Sequence, residues 1–265
     1  MSARGVSDMI NPLYWVAGVL VGMLVGLTGV GGGSLMTPLL VLAFGFHPAT
    51  AVGTDLLYAS ATKAVGTAVH GRHGSVDWPI VRRLALGSIP ATIVTLFILG
   101  GANEHSAKTG TIISTMLGIL LVLSAIATLF RKQLVARLVP RMGTLEGRRL
   151  AITTVVLGAI LGVLVSLTSV GAGALGMTAL LVLYPRQPIA TLVGSDIAHA
   201  VPLTLIAGIG HWLLGSVNGG LLLSLLIGSI PGVIIGSLIT SRINERVLAV
   251  ILASVLAIVG VRMLM

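Results

Sequence analysis

The chain has 265 residues, 55% of them apolar and 9% charged, a net charge of +9 and no cysteine. This composition excludes a soluble globular domain with a charged shell, and the missing cysteines exclude disulfides, thiolate metal sites and cysteine nucleophiles. The basic residues fall mostly in short segments between apolar runs, which marks one side of a membrane rather than a nucleic-acid surface, so no nucleic-acid partner is expected.

A bilayer core takes roughly 20 apolar residues per helical span. The runs do not alternate apolar with polar residues, as a closed β-barrel would. Met1 to Asn11 has no basic region of the secretory kind, so the first run, Pro12 to Leu27, is expected to be retained as a helix with Tyr14 and Trp15 as interfacial anchors. The glycine-dense stretch Gly26 to Gly33 then breaks it. Ser34 to Phe46 is too short to cross and reads as a half-depth helix closed by Pro48. Ala49 to Val69, Trp78 to Gly100 and Thr109 to Phe130 read as full spans. Arg131 to Arg149 holds six of the 16 basic residues and reads as a polar linker.

From Ala151 the pattern starts again. Gly22, Leu27, Thr28, Val30, Gly31, Gly33 and Leu35 match Gly162, Leu167, Thr168, Val170, Gly171, Gly173 and Leu175 at one constant offset. One residue further on, Gly53-Thr54-Asp55 matches Gly194-Ser195-Asp196, His70 matches His211, Gly74-Ser75-Val76 matches Gly215-Ser216-Val217, and Gly87-Ser88-Ile89-Pro90 matches Gly228-Ser229-Ile230-Pro231. The expected fold is an all-α integral membrane protein of two homologous repeats, each a glycine-broken helix, a half-depth helix and three spans. Residues 1–130 form the first repeat, 131–150 a cytoplasmic basic linker and 151–265 the second repeat.

An inverted arrangement puts Arg72, Arg82, Arg83, the linker residues, Arg186, Arg242 and Arg246 on the cytoplasmic side, leaving Arg4, Lys108 and Arg262 outside. This fits the positive-inside rule better than a parallel one, and it predicts both termini outside.

Broken helix ends offer N–H donors and partial positive charge to an anion. The expected solute-binding residues are Thr28, Gly29, Gly31, Gly32, Gly33 and Ser34 in the first copy, Thr168, Ser169, Gly171 and Gly173 in the second, and the hydroxyls of Thr54 and Ser195. Close packing by small residues is the alternative reading of the glycines. Ionisable groups at membrane depth each need a reason. Asp55, Asp196 and Lys63 are candidates for charge balance or proton coupling; the alternative for the two carboxylates is attraction to their helix N-termini. His70 and His211 read as capping or relay groups, and His199, one turn after Asp196, as its pairing partner. No cofactor or metal is expected. Gly29-Val-Gly31-Gly-Gly-Ser34 has no strand context, so it is a weak match to a dinucleotide fingerprint.

At Thr28-Gly29-Val30-Gly31-Gly32-Gly33 with Pro38, Pro48 with Ala51-Val52-Gly53-Thr54, and His70 with Gly74-Ser75-Val76-Asp77-Trp78, the chain resembles the TauE/SafE family of sulfite exporters, also called the sulfite and organosulfonate permease family. The resemblance covers nearly the whole chain and implies a multi-pass carrier of small sulfur oxyanions or organosulfonates in the bacterial inner membrane. Two departures stand out: Asp55 and Asp196 occupy positions where the family commonly has serine, and Thr178 and Ala172 replace the counterparts of Pro38 and Gly32.

The expected function is therefore not enzymatic. It is secondary transport of a small anion by alternating access around a midplane site, with the bilayer and the anion as partners and the oligomeric state open, a homodimer included. An anion channel and a proton- or cation-coupled carrier of another solute are the alternatives on the same fold. An intramembrane enzyme or assembly partner is the alternative from another class.

Overall fold

The computed structural model describes residues 12–28, 33–72, 75–101, 107–142, 145–171, 173–240 and 245–265. Among the described residues all regular structure is helical: α1 (Pro12–Thr28), α2 (Gly33–Leu42), α3 (Pro48–Arg72), α4 (Trp78–Gly101), α5 (Ala107–Leu129), α6 (Arg131–Met142), α7 (Gly147–Thr168), α8 (Ala174–Leu183), α9 (Ile189–Leu213), α10 (Gly219–Thr240) and α11 (Glu245–Leu264). Five of them, α4, α5, α7, α9 and α10, are long and apolar enough to cross a membrane. The chain is an all-α integral membrane protein. Many of its large outward side chains are apolar, Phe97 and Leu213 among the most exposed, while Asp55, Lys63, Asp196 and His199 and many serines and threonines of the helices are buried.

Two expected boundaries shift. The first half-depth helix stops at Leu42 rather than Phe46, because Gly45 takes a positive φ of 67° and the Phe46 amide turns back to the Leu40 carbonyl at 3.1 Å. The linker is not wholly irregular either. Arg131–Met142 winds into a helix whose Leu134, Val135 and Val139 are half-buried while Lys132, Gln133, Arg137 and Arg141 face outward.

The two halves interlock rather than stand side by side. α1 packs on α10 and α4 on α7, while α3 packs on α9 and α5 on α11. The closest approaches are at glycines. A Cβ on Gly22 would stand 2.6 Å from the Ser229 carbonyl oxygen, and one on Gly162 would stand 2.5 Å from that of Ser88. The same exchange recurs around them: Gly18 meets Leu225 and Gly158 meets Leu84, Gly228 meets Trp15 and Gly87 meets Val155. Each pair maps onto its counterpart by the offsets that relate the two halves of the sequence. Small residues let backbones approach without a side-chain spacer, so dispersion and carbonyl contacts replace the hydrophobic effect that lipid cannot supply.

The order of the contacts along each pair fixes helix directions. Residues rise together along α1 and α10, as along α4 and α7, so those pairs run parallel. Along α3 and α9 they run oppositely, Gly53 lying against His211 and Ser216 and Leu57 against Gly208. Helices α3 and α9 occupy matching places in the two halves of the sequence and cross antiparallel.

Gly162→Ala is expected to lower the stability of the detergent-purified protein by about 1–3 kcal/mol through overpacking. Gly101→Ala meets nothing within 4 Å and should be neutral or gain up to about 1 kcal/mol of helix propensity. Thermal unfolding followed by size-exclusion chromatography measures both.

Candidate functional site

The second glycine cluster interrupts the chain between α7 and α8. Thr168 ends α7, Ser169 takes a left-handed conformation (φ 59°), and Gly171 and Gly173 have φ of 128° and 153° before α8 starts at Ala174. Such angles suit glycine and cost other residues strain. Much of the interrupted hydrogen bonding is recovered locally: Ser169 N–H donates to Val165 O, Val170 N–H to the Thr168 hydroxyl, Gly176 N–H to Gly171 O and Met177 N–H to Gly173 O. The Thr168 hydroxyl itself donates to Leu164 O at 2.7 Å, so it caps the end of α7 and is spent on backbone. The Ala174 and Leu175 amides stand at the positive end of α8, where a helix has no acceptor of its own to offer.

In the first copy, Thr28 ends α1 and Gly33 and Ser34 begin α2. Gly29, Gly31 and Gly32 lie outside the described residues, as do the side chains of Thr28, Ser34 and His70.

The buried charges gather beside this break. Asp55, on α3, is fully buried, and its Oδ2 accepts the Thr37 amide at 3.2 Å and the Thr37 hydroxyl at 2.5 Å. The Ser169 hydroxyl faces the same carboxylate from the opposite half. Asp196, on α9, lies against the first turn of α8, where a Cβ on Gly176 would come 3.0 Å from its Oδ1. Lys63, 6% exposed, acts electrostatically on both carboxylates, and Arg131 acts on Asp196. Neither carboxylate is in the first turn of its helix. The helix-terminus field falls off within a turn, so attraction to an N-terminus does not explain them.

The hydroxyls of Thr54 and Ser195 hydrogen-bond across the two halves. The Ser195 hydroxyl accepts the Asp77 amide at 2.8 Å and donates to Thr191 O; the Thr54 hydroxyl accepts the Asn218 amide at 3.1 Å. Asp77 and Asn218 in turn cap α4 and α10 through the amides of Ile80 and Leu221. Each hydroxyl therefore pins a helix start of the other half.

The expected Asp196–His199 pair does not form. His199 Nε2 is 2.9 Å from Ser88 Oγ on α4, which captures the ring from another element, and Nδ1 has no hydrogen-bond partner. His211 Nε2 is 2.9 Å from the Ser166 carbonyl, so it serves the last turn of α7 rather than its own helix. Sequence reasoning passed over Thr37, Gly176, Ser88 and the Asp77/Asn218 caps. The repeat offset already paired Asp77 with Asn218 and Ser88 with Ser229, which was the available signal.

An all-helical bundle with lipid-facing apolar side chains and a charged cluster closed off between its halves is a multi-pass membrane protein of the transporter class. The family model described as Sulfite exporter TauE/SafE matches residues 14–263, and the chain belongs to that family. It is 41% identical over 216 residues to the probable membrane transporter protein YjnA of Bacillus subtilis (strain 168), covering 79% of this chain and 82% of that one. It is also 25% identical over 218 residues to the probable membrane transporter protein MJ0441 of Methanocaldococcus jannaschii, covering 80% and 75%. No solved structure matches it. The family places the protein in the cytoplasmic membrane, with a small solute as cargo.

Thr37→Val removes one of two donors to a buried carboxylate and is expected to cost about 1.5–3 kcal/mol, with Thr37→Ser recovering most of it. Ser195→Ala should cost about 1 kcal/mol through the lost cross-half contact. Chemical or thermal unfolding of the three variants checks the order.

Proposed function

We propose that the protein is a secondary transporter of a small sulfur oxyanion, sulfite or an organosulfonate, moved by alternating exposure of one site between the halves. The observation that carries this reading is the convergence on one place of the α7–α8 break, the buried Lys63 and two carboxylates from α3 and α9. A helix start presents amides and positive dipole to an anion, and Lys63 adds a full charge on a stem long enough to follow it. Gly171 and Gly173, with Ser169, shape the peptide that would face the solute. Asp55 and Asp196 set the charge balance around it.

The antiparallel crossing of α3 and α9, with the exchanged contacts of α1, α10, α4 and α7, supports an inverted-repeat arrangement. In such an arrangement the inward- and outward-facing states are related by exchange of the two halves, and rocking one against the other exposes a fixed site alternately. The family name and the relatives named as probable membrane transporters support transport as the activity. Sulfite is what the family name offers as substrate.

Proteoliposomes loaded with unlabelled sulfite or sulfoacetate should take up the labelled anion by counterflow that saturates with concentration. A conductance that rises without saturation, read in planar bilayers, would make the protein a channel instead. Gly171→Ala and Gly173→Ala put a side chain at φ 128° and 153° and should slow counterflow about tenfold, as strain of about 1–3 kcal/mol per residue implies.

A further inference from the structure

We propose that Asp196 is a proton-binding site that takes up one proton for each solute anion, while Asp55 is a fixed structural carboxylate. The inference rests on the transport reading above and deepens it by naming the coupling ion and the group that holds it.

The two carboxylates differ in what surrounds them. Asp55 Oδ2 receives two donors from Thr37, and the Ser169 hydroxyl faces it as well. Two donors on one oxygen favour the anion and fix the carboxylate in place. No such pair of donors reaches Asp196 among the described residues. The Oδ1 atoms of both carboxylates are buried without a hydrogen-bond partner, but that of Asp196 borders the space left by the missing side chain of Gly176. Replacing Gly176 by the methionine that holds the matching position in the first half, Met36, would fill that space.

The charged and titratable groups around Asp196 can be named by element. Helix α3 brings Lys63, with Asp55 on the far side of it; α6 brings Arg131; α9 itself brings His199, three residues on and on the same face. Helix α8 contains no titratable residue, and the described arginines of α4 and α7 stand in their first two turns, Arg83 reaching toward Tyr184. His199 matters for a second reason. With the ring hydrogen on Nε2, donated to Ser88, the buried Nδ1 keeps a lone pair and has no partner. A hydroxyl formed on Asp196 would have an acceptor within one turn.

Charge accounting gives the stoichiometry. Two carboxylates and the Lys63 ammonium sum to minus one when all are ionised, and the helix starts of α2 and α8 offset about one unit of that, so a monovalent anion entering beside them leaves one uncompensated negative charge in a low-dielectric setting. One proton on Asp196 restores the starting value. The bond change is a single O–H formed on the carboxylate on loading and broken on release, with nothing oxidised or reduced.

The test uses purified full-length protein in liposomes, membrane potential clamped at zero, with methanesulfonate as solute because its single negative charge does not titrate near neutral pH. The wild type should accumulate methanesulfonate about tenfold per unit of imposed pH gradient, the value for one coupled proton, and should acidify the receiving lumen as it does so. Asp196→Asn should keep counterflow that no longer responds to pH, and its accumulation should fall to about onefold. Asp55→Asn should lose thermal stability while its remaining flux stays proton-driven. If Asp196→Asn does not fold, the wild type alone decides: saturable counterflow with no proton movement overturns this inference and leaves the transport reading standing. An absence of saturable counterflow for sulfite, sulfoacetate and methanesulfonate alike overturns both. Proton-driven accumulation retained in folded Asp196→Asn overturns the assignment to Asp196.

Discussion

A polar group buried at membrane depth must find its partner within the protein, and in this chain many of those partners come from the opposite half. The amides that begin α4 and α10 are held by hydroxyls of α9 and α3, and the ring of His199 by Ser88 of α4. Lipid offers no substitute for any of these. Neither half could shed its neighbour without exposing a set of unpaired groups, each costing several kcal/mol in hydrocarbon. The glycine contacts of α1 with α10 and α4 with α7 are then the steric condition that brings the polar partners within reach.

On that repeated frame the chemistry is not repeated. Tyr14 meets Phe44 edge-on at 5.1 Å, and at the matching places Thr154 meets Tyr184 through a hydrogen bond of 2.7 Å. Tyr58 faces Ser229 where His199 faces Ser88. Lys63 matches Thr204, whose hydroxyl turns back onto its own helix at Ala200 O, and Thr37 matches Met177. Backbone contacts tolerate such divergence because they depend on small side chains being absent, not on particular ones being present. The charged cluster has therefore become lopsided, with Lys63 and the Thr37 donors in the first half and no counterpart to either in the second.

The hydrophobic runs and the repeat were legible because span length and offset are one-dimensional facts. The roles of Thr54 and Ser195 were not. Each precedes an aspartate that points into the cluster, which suggested a shared task, but neighbours on a helix face directions about 100° apart. The hydroxyls look outward to the other half's helix caps instead. His199 illustrates the opposite error: its spacing from Asp196 is right for a pair, yet a serine from another helix competes for the ring and wins. Helix α6 was masked by composition, since its three half-buried apolar residues are outvoted by charges when the segment is averaged.

The electrostatics of the site follow from helix ends as much as from side chains. A helix N-terminus carries about half a positive charge, so α2 and α8 together contribute about +1, and Lys63 contributes another. Against the two carboxylates the cluster comes out close to neutral, which is what buried charge at low dielectric requires. A site made strongly positive to attract an anion would bind it and fail to release it. Dipoles fixed in backbone cannot be neutralised by losing a proton, whereas a carboxyl can. In the proposed transport cycle the balance that would let an anion enter and leave is carried by the titratable members, while the glycine break supplies the constant part of the field.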